Sequence, residues 1–153
     1  MSVEVGSDAP DFTLRDEVGA EVTLSDLRGR NVVLVFYPFA FSGMCTKELH
    51  DVSGLKGKFD EGSAEVFGVS IDSPFALKAF KRNEGLEARL LSDFEPKGDV
   101  ARSYGVYLDN IGAATRATFL IDKDGKVAYK VVNELGEARD QTEVVKALAS
   151  CPV

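Results

Sequence analysis

The sequence predicts an α/β domain in which a central mixed β-sheet is flanked by helices and preceded by an N-terminal β-hairpin. Three observations point there. Apolar runs of strand length alternate with helix-period segments along the chain, the pattern that packs helices onto the faces of a sheet. Residues 31–37 (NVVLVFY) form a continuous β-branched and aromatic run, as in strands buried on both faces. The chain of 153 residues suits one core, so residues 1–153 are read as a single domain.

Taken in order, residues 12–14 (FTL) and 22–24 (VTL) alternate apolar and polar about a Thr, with a turn over 16–20, and predict the hairpin. Residues 31–37 predict a central strand parallel to a neighbour. After Pro38, residues 42–59 carry Met44, Leu49, Val52, Leu55 and Phe59 at helical spacing. Gly54 and Gly57 interrupt it, so the helix is expected to bend near its end. Residues 65–71 predict a second buried strand. Asp72-Ser73-Pro74 then places a capping residue before a Pro suited to the first helical position, opening a helix to about Asn83. A short strand over 90–92 and a short helix over 97–103, ending at Tyr104-Gly105, come next. A hairpin follows, 115–121 and 126–132 about the turn 122–125, and a helix over 141–149 closes the chain.

Composition narrows the function classes. Hydrophobic residues make up 44% and charged residues 28%, with 14 Gly and 5 Pro, unlike disordered or collagenous chains. The net charge is −7, from 18 Lys+Arg against 25 Asp+Glu, with no basic run. A nucleic-acid partner needs clustered cations and is not expected. The most apolar stretch, 32–41, is broken by Pro38 and falls far short of the roughly 20 residues that span a bilayer, so no membrane association is expected. The first ten residues are acidic and lack a secretory pattern, which makes the cytoplasm the expected location. Cys45 and Cys151 are the two cysteines, wrong for a disulfide framework or a zinc site. No metal-ligand spacing or phosphate-binding glycine loop occurs, and no cofactor is expected. The turn 122–125 (DKDG) lacks the later ligands of a calcium loop.

The chemistry concentrates in residues 38–45 (PFAFSGMC), where a buried strand ends and a helix begins. Ligands of open α/β sheets bind at such strand ends. In a first helical turn, unpaired N–H groups and the macrodipole favour the Cys45 thiolate over the thiol. Ser42 has two readings. Its oxygen caps the helix by accepting from an N–H near Cys45, or its hydroxyl faces outward and donates to the thiolate and to a bound substrate. His50, the single histidine, lies five residues past Cys45, so the two side chains diverge by roughly 140° and His50 is read as structural.

Pro38, Ser42 and Cys45 match the signature Pro-x-x-x-[Thr/Ser]-x-x-Cys, and the chain resembles the peroxiredoxins. The likeness extends through residues 9–14 (APDFTL), 68–73 (GVSIDS), 91–93 (LSD), 104–106 (YGV) and 116–122 (RATFLID). Within the family it is most similar to the one-cysteine E-type alkyl hydroperoxide reductases, partly through 38–41 (PFAF) and 136–141 (GEARDQ).

The resemblance implies a thioredoxin-like fold and a thiol-dependent peroxidase that reduces hydrogen peroxide and organic hydroperoxides through a Cys45 sulfenic acid. It implies Cys45 as nucleophile, Arg116 as the cation beside it, Ser42 and the N–H groups of Met44 and Cys45 as peroxide holders, and Pro38 as the pocket wall. Glu48 and Arg139 are implied as supporting residues. The implied reductant is an external thiol, whether thioredoxin, a glutaredoxin-like protein or a small thiol. A peroxide sensor or redox-regulated chaperone using the same cysteine is the alternative. Ser150-Cys151-Pro152 is similar to the resolving segment of two-cysteine relatives, but only two residues follow Cys151 and a predicted helix runs into it, so a resolving role is not expected. Q-type relatives carry a resolving cysteine where His50 stands, which excludes that mechanism. Absence of Cys-x-x-Cys and of Trp sets the chain apart from thioredoxins and glutathione peroxidases. A homodimer or larger homo-oligomer is expected, built on the aromatic segments 39–41 and 104–107.

Overall fold

The computed structural model describes residues 3–137 and 139–151. Strand β1 (Thr13–Asp16) and β2 (Glu21–Thr23) form the N-terminal hairpin, and a 3-10 turn over Leu24–Leu27 leads to β3 (Asn31–Phe36). Two helices follow, α1 (Gly43–Gly54) and α2 (Lys56–Glu61), then β4 (Ala64–Ser70), α3 (Pro74–Glu84), β5 (Arg89–Ser92) and α4 (Asp99–Ser103). The remaining elements are β6 (Tyr107–Leu108), β7 (Ala113–Ala114), β8 (Arg116–Ile121), β9 (Val127–Asn133) and α5 (Gln141–Ala149).

Seven strands make one sheet in the order β2-β1-β5-β4-β3-β8-β9. β3, β4 and β5 are parallel, whereas β1, β8 and β9 join antiparallel, so the mixed sheet and leading hairpin stand as expected. Every residue of β3 is buried, and its period-2 alternation splits the apolar groups between two cores. Val32, Leu34 and Phe36 pack with Phe12, Val100, Tyr104 and Phe119. Val33, Val35 and Tyr37 pack with Leu49, Phe59, Leu77, Phe80 and Leu148. Helices α1, α2, α3 and α5 therefore cover one face and α4 the other. Each fully buried Phe or Leu contributes roughly 1.5–3 kcal/mol.

Three details differ from the sequence reading. The bent helix over 42–59 is two helices, parted at Leu55 (φ −100°, ψ 8°) just after Gly54, whose backbone freedom opposes helix continuation. The break lets Phe59 turn into the core at 1% exposure. Helix α3 opens as read, with Pro74 in its first turn and Ser73 as its cap, the Oγ accepting from Ala76 N at 3.2 Å. The hairpin β6–β7 has two residues per strand, too few to display a period. Finally, Tyr104 and Val106 are buried inside their own chain, and the Tyr107 ring stacks under the Arg102 guanidinium. That removes the 104–107 segment as an argument for subunit contact. Among the described residues no helix is long and apolar enough to cross a membrane.

Candidate active site

β3 aims the chain at the site. Tyr37 N still bonds Val69 O, at 3.1 Å, and the buried Pro38 then turns the chain away from the sheet. It lacks an N–H and cannot extend the ladder. The first helical bond of α1 runs from Thr46 N to Ser42 O at 2.9 Å. The N–H groups of Gly43, Met44 and Cys45 precede it and have no intrahelical partner. Cys45 lies in this first turn with its side chain fully buried.

Strand register delivers the cation. β8 pairs antiparallel with β3 so that Ala117 opposes Phe36, which sets Arg116 just past the end of β3, beside the Pro38 loop. Its Nη1 donates to Cys45 Sγ at 3.3 Å and to Glu48 Oε1 at 2.7 Å, and its Nε donates to Leu135 O at 2.8 Å. Glu48 is three residues beyond Cys45, on the same face of α1. Both Arg116 and Glu48 are nearly inaccessible to solvent.

Behind this pair sits Arg139. Its Nε donates to Glu48 Oε2 at 2.9 Å and its Nη2 to Glu48 Oε1 at 3.1 Å. Nη1 reaches Ala117 O (2.7 Å) and Thr118 Oγ1 (3.0 Å), and Nη2 also reaches Phe36 O (2.6 Å). Every guanidinium N–H therefore has an acceptor, and the backbone N–H of Arg139 adds a further bond to Glu48 Oε2 at 3.1 Å. Burial by itself pushes the Glu48 pKa up, but the hydrogen bonds and charge of Arg139, together with Arg116, outweigh it and hold the carboxyl below its ordinary value. Burial pulls the Arg139 pKa down, against the opposing pull of Glu48. For Arg116 burial is overcome by Cys45 and Glu48, and its pKa is raised. A buried carboxylate thus holds two guanidinium groups, one of them aimed at the sulfur.

The sequence profile of the AhpC/TSA family matches residues 5–130. The chain belongs to the AhpC/TSA family. It is a peroxiredoxin, a thiol-dependent peroxidase with the thioredoxin-like fold. Alkyl hydroperoxide reductase E of Mycobacterium tuberculosis is 39% identical over 149 residues, covering 97% of each chain. A crystal structure of peroxidoxin BcpB from the same organism superposes with a TM-score of 0.87 at 30% identity, covering 99% of both chains. Enterococcus faecalis AhpC gives 0.89 at 29% identity, over 98% of this chain and 92% of that one.

Within this peroxiredoxin, Ser42 does not cap α1. Its Oγ donates to Phe39 O at 3.1 Å and makes no cap bond, so it braces the loop. That loop carries Phe41 in the left-handed region (φ +71°), a strain on the order of 1–3 kcal/mol for a non-glycine residue. The Phe41 ring lies against Phe80, centroids 5.0 Å apart. His50 is exposed and pairs with Glu84 at 2.9 Å, as a structural histidine does. Cys45 and Cys151 are both free thiols. Cys151 is partly buried against Ala147 O, and burial, with the charge of Asp122, pushes its pKa up.

Asp72 is the residue the sequence reading missed. Its Oδ2 accepts from Ala40 N at 2.8 Å. The sequence offered no signal for it, because Ala40 N and Ser70 Oγ meet Asp72 only once β4 is paired beside β3.

Proposed function

We propose that Cys45 is the peroxidatic nucleophile of a one-cysteine cycle acting on hydrogen peroxide and organic hydroperoxides. The observation that carries this is Arg116 Nη1 at 3.3 Å from Cys45 Sγ, held there by Glu48. The thiolate attacks the distal peroxide oxygen along the O–O axis. The S–O bond forms as the O–O bond breaks, sulfur is oxidised by two electrons, and the leaving alkoxide or hydroxide takes a proton to give alcohol or water. Charge passes from sulfur to the leaving oxygen. Arg116 and the unpaired N–H groups of Met44 and Cys45 are placed to stabilise it at both ends, with Pro38 as the pocket wall and Ser42 bracing the loop.

The sulfenic acid is then reduced by an external thiol, from thioredoxin, a glutaredoxin-like protein or a small thiol. Its sulfur attacks Cys45, water leaves, and a second thiol releases the mixed disulfide. Cys151 supports this reading by its position. It feels the charge of Asp122, just past the last residue of β8, whereas Cys45 meets Arg116, the first. The intervening six-residue strand spans on the order of 20 Å, against the ~7 Å Cα separation a disulfide allows. The raised pKa of Cys151 also leaves little attacking thiolate.

Treatment of the reduced protein with one equivalent of peroxide in the presence of a sulfenic-acid trap is expected to label Cys45, and Cys151→Ser to label equally. Rapid formation of a Cys45–Cys151 bridge ahead of trapping, read by mass spectrometry, rejects the one-cysteine cycle.

The same reading places residues 1–153 in the cytoplasm as one domain, where thiols stay reduced, and as a homodimer or larger assembly. Phe39 and Phe41, on the loop that leads into α1, are 38% and 51% exposed, apolar surface that favours a protein neighbour over water. Sedimentation at tens of micromolar is expected to give twice the 16.5 kDa chain mass or more, shifting toward monomer in Phe39→Glu. A monomeric wild type, reduced and oxidised alike, contradicts the assembly.

A further inference from the structure

The loop that brings Pro38 and Ser42 to the site is tied from outside by a carboxylate. Asp72 lies between β4 and α3. Its Oδ2 accepts from Ala40 N at 2.8 Å and from Ser70 Oγ at 2.7 Å. Ser70 is the last residue of β4 and is 1% exposed, so the sheet orients the carboxylate. The Asp72 carbonyl accepts from Ser92 Oγ, at the end of β5, at 2.6 Å. Asp72 is thus fixed to two strands while its charge is directed at the loop backbone.

The loop needs such an anchor. Phe41 holds a left-handed backbone, and the Ser42 hydroxyl bonds back to Phe39 O, a contact that moves with the loop. The Phe41–Phe80 ring contact is weakly directional. A carboxylate accepting from an N–H makes a strong, oriented bond, and it joins the loop to the sheet. Cys45 is then held from two sides, by Arg116 of β8, braced by Glu48 of α1, and by the Ala40–Asp72 bond ahead of α1.

We propose that Asp72 is a positioning residue for peroxide reduction. Through Ala40 it sets where the Pro38 wall and the first N–H groups of α1 stand relative to Cys45 Sγ. In-line attack requires sulfur and both peroxide oxygens to be collinear and held, and a displacement of about 1 Å is enough to cost ~10²-fold in rate. Asp72 makes no hydrogen bond to Cys45, whose side-chain partner is Arg116, so its loss slows attack on the O–O bond while leaving the nucleophile in place. The inference rests on Cys45 as the peroxidatic residue.

The test compares wild type, Asp72→Ala and Asp72→Asn, each in a Cys151→Ser background, in two reactions of Cys45: single-turnover oxidation by hydrogen peroxide and alkylation by iodoacetamide. Asp72→Ala is expected to lose about 10- to 100-fold against peroxide and to alkylate no more slowly than wild type. Asp72→Asn is expected to recover most of the loss, because its amide oxygen still accepts from Ala40 N and Ser70 Oγ. A wild-type peroxide rate in Asp72→Ala, an equal fall in both reactions, or no recovery in Asp72→Asn overturns the proposal. If Asp72→Ala does not fold, amide exchange in the wild type decides: Ala40 N–H is expected to exchange far more slowly than those of Phe39 and Phe41, and equal rates overturn the proposal. A wild type that does not consume peroxide refutes the Cys45 assignment instead.

Discussion

Replacing Arg116 with alanine is expected to slow oxidation of Cys45 by hydrogen peroxide by about 10²–10³-fold, the range seen when one preorganised donor is removed from a site of developing charge. The guanidinium touches the sulfur, so it acts at the start of the reaction as well as on the departing oxygen. Arg116→Lys is expected to recover only part of the loss. A single ammonium cannot bond Cys45, Glu48 and the Leu135 carbonyl together, as the planar fork does. Glu48 keeps Arg139 in the alanine variant, so cooperative unfolding is expected to persist. Rapid-mixing measurements on reduced Cys151→Ser protein check this, and a wild-type rate in Arg116→Ala would remove the arginine from the mechanism.

The reason to expect so large an effect lies in the balance between activation and reactivity. A charge that stabilises the thiolate makes more of it available but weakens it as a nucleophile. Availability alone therefore cannot supply most of the acceleration. The remainder comes from donors already in place as charge moves off sulfur. Arg116 meets that condition because Leu135 O and Glu48 fix its position before any substrate arrives.

Some of this was legible in the sequence, for identifiable reasons. The unbroken β-branched run of β3 and the Pro38 that ends it place Cys45 at a helix start, since both signals are local. Arg116 opens a strand whose pattern is equally plain, and its meeting with Cys45 follows once β8 is paired beside β3. The Arg139 environment was not legible from spacing. Its acceptors are Phe36 O, Ala117 O, Thr118 Oγ1 and Glu48, which come together only when the sheet assembles, and only the family resemblance pointed to it. The Ser42 cap did not form because a nearer local acceptor, Phe39 O, lies in a backbone turn that Phe41 does not advertise as a non-glycine residue. The interruption at Gly54 was legible, but the full parting of α1 from α2 at Leu55, which turns Phe59 into the core, was not, because it depends on tertiary packing.

Glu48→Gln is expected to destabilise the fold at neutral pH by about 3–5 kcal/mol, the range for breaking a buried ion pair from one side. The carboxylate is 2% exposed and accepts from both Arg116 and Arg139. Its loss leaves two guanidinium groups facing each other without a counter-charge, and Arg139, at 6% exposure, has no route to water. The pH dependence gives the sign. The folded-state pKa of Glu48 lies below its ordinary value of 4.5, so its stabilisation is fully present above that value and is lost as pH falls through the depressed folded pKa. The gap between wild type and Glu48→Gln in urea unfolding is therefore expected to be widest near pH 7, to hold down to about pH 5, and to narrow below 4.5 as the wild-type carboxylate is protonated. Peroxide oxidation of Cys45 is expected to fall as well, because Arg116 loses its brace. A gap that stays constant from pH 7 to pH 3 would show that the glutamine acts by shape and not by charge, and would remove Glu48 as the anchor of the arginine pair.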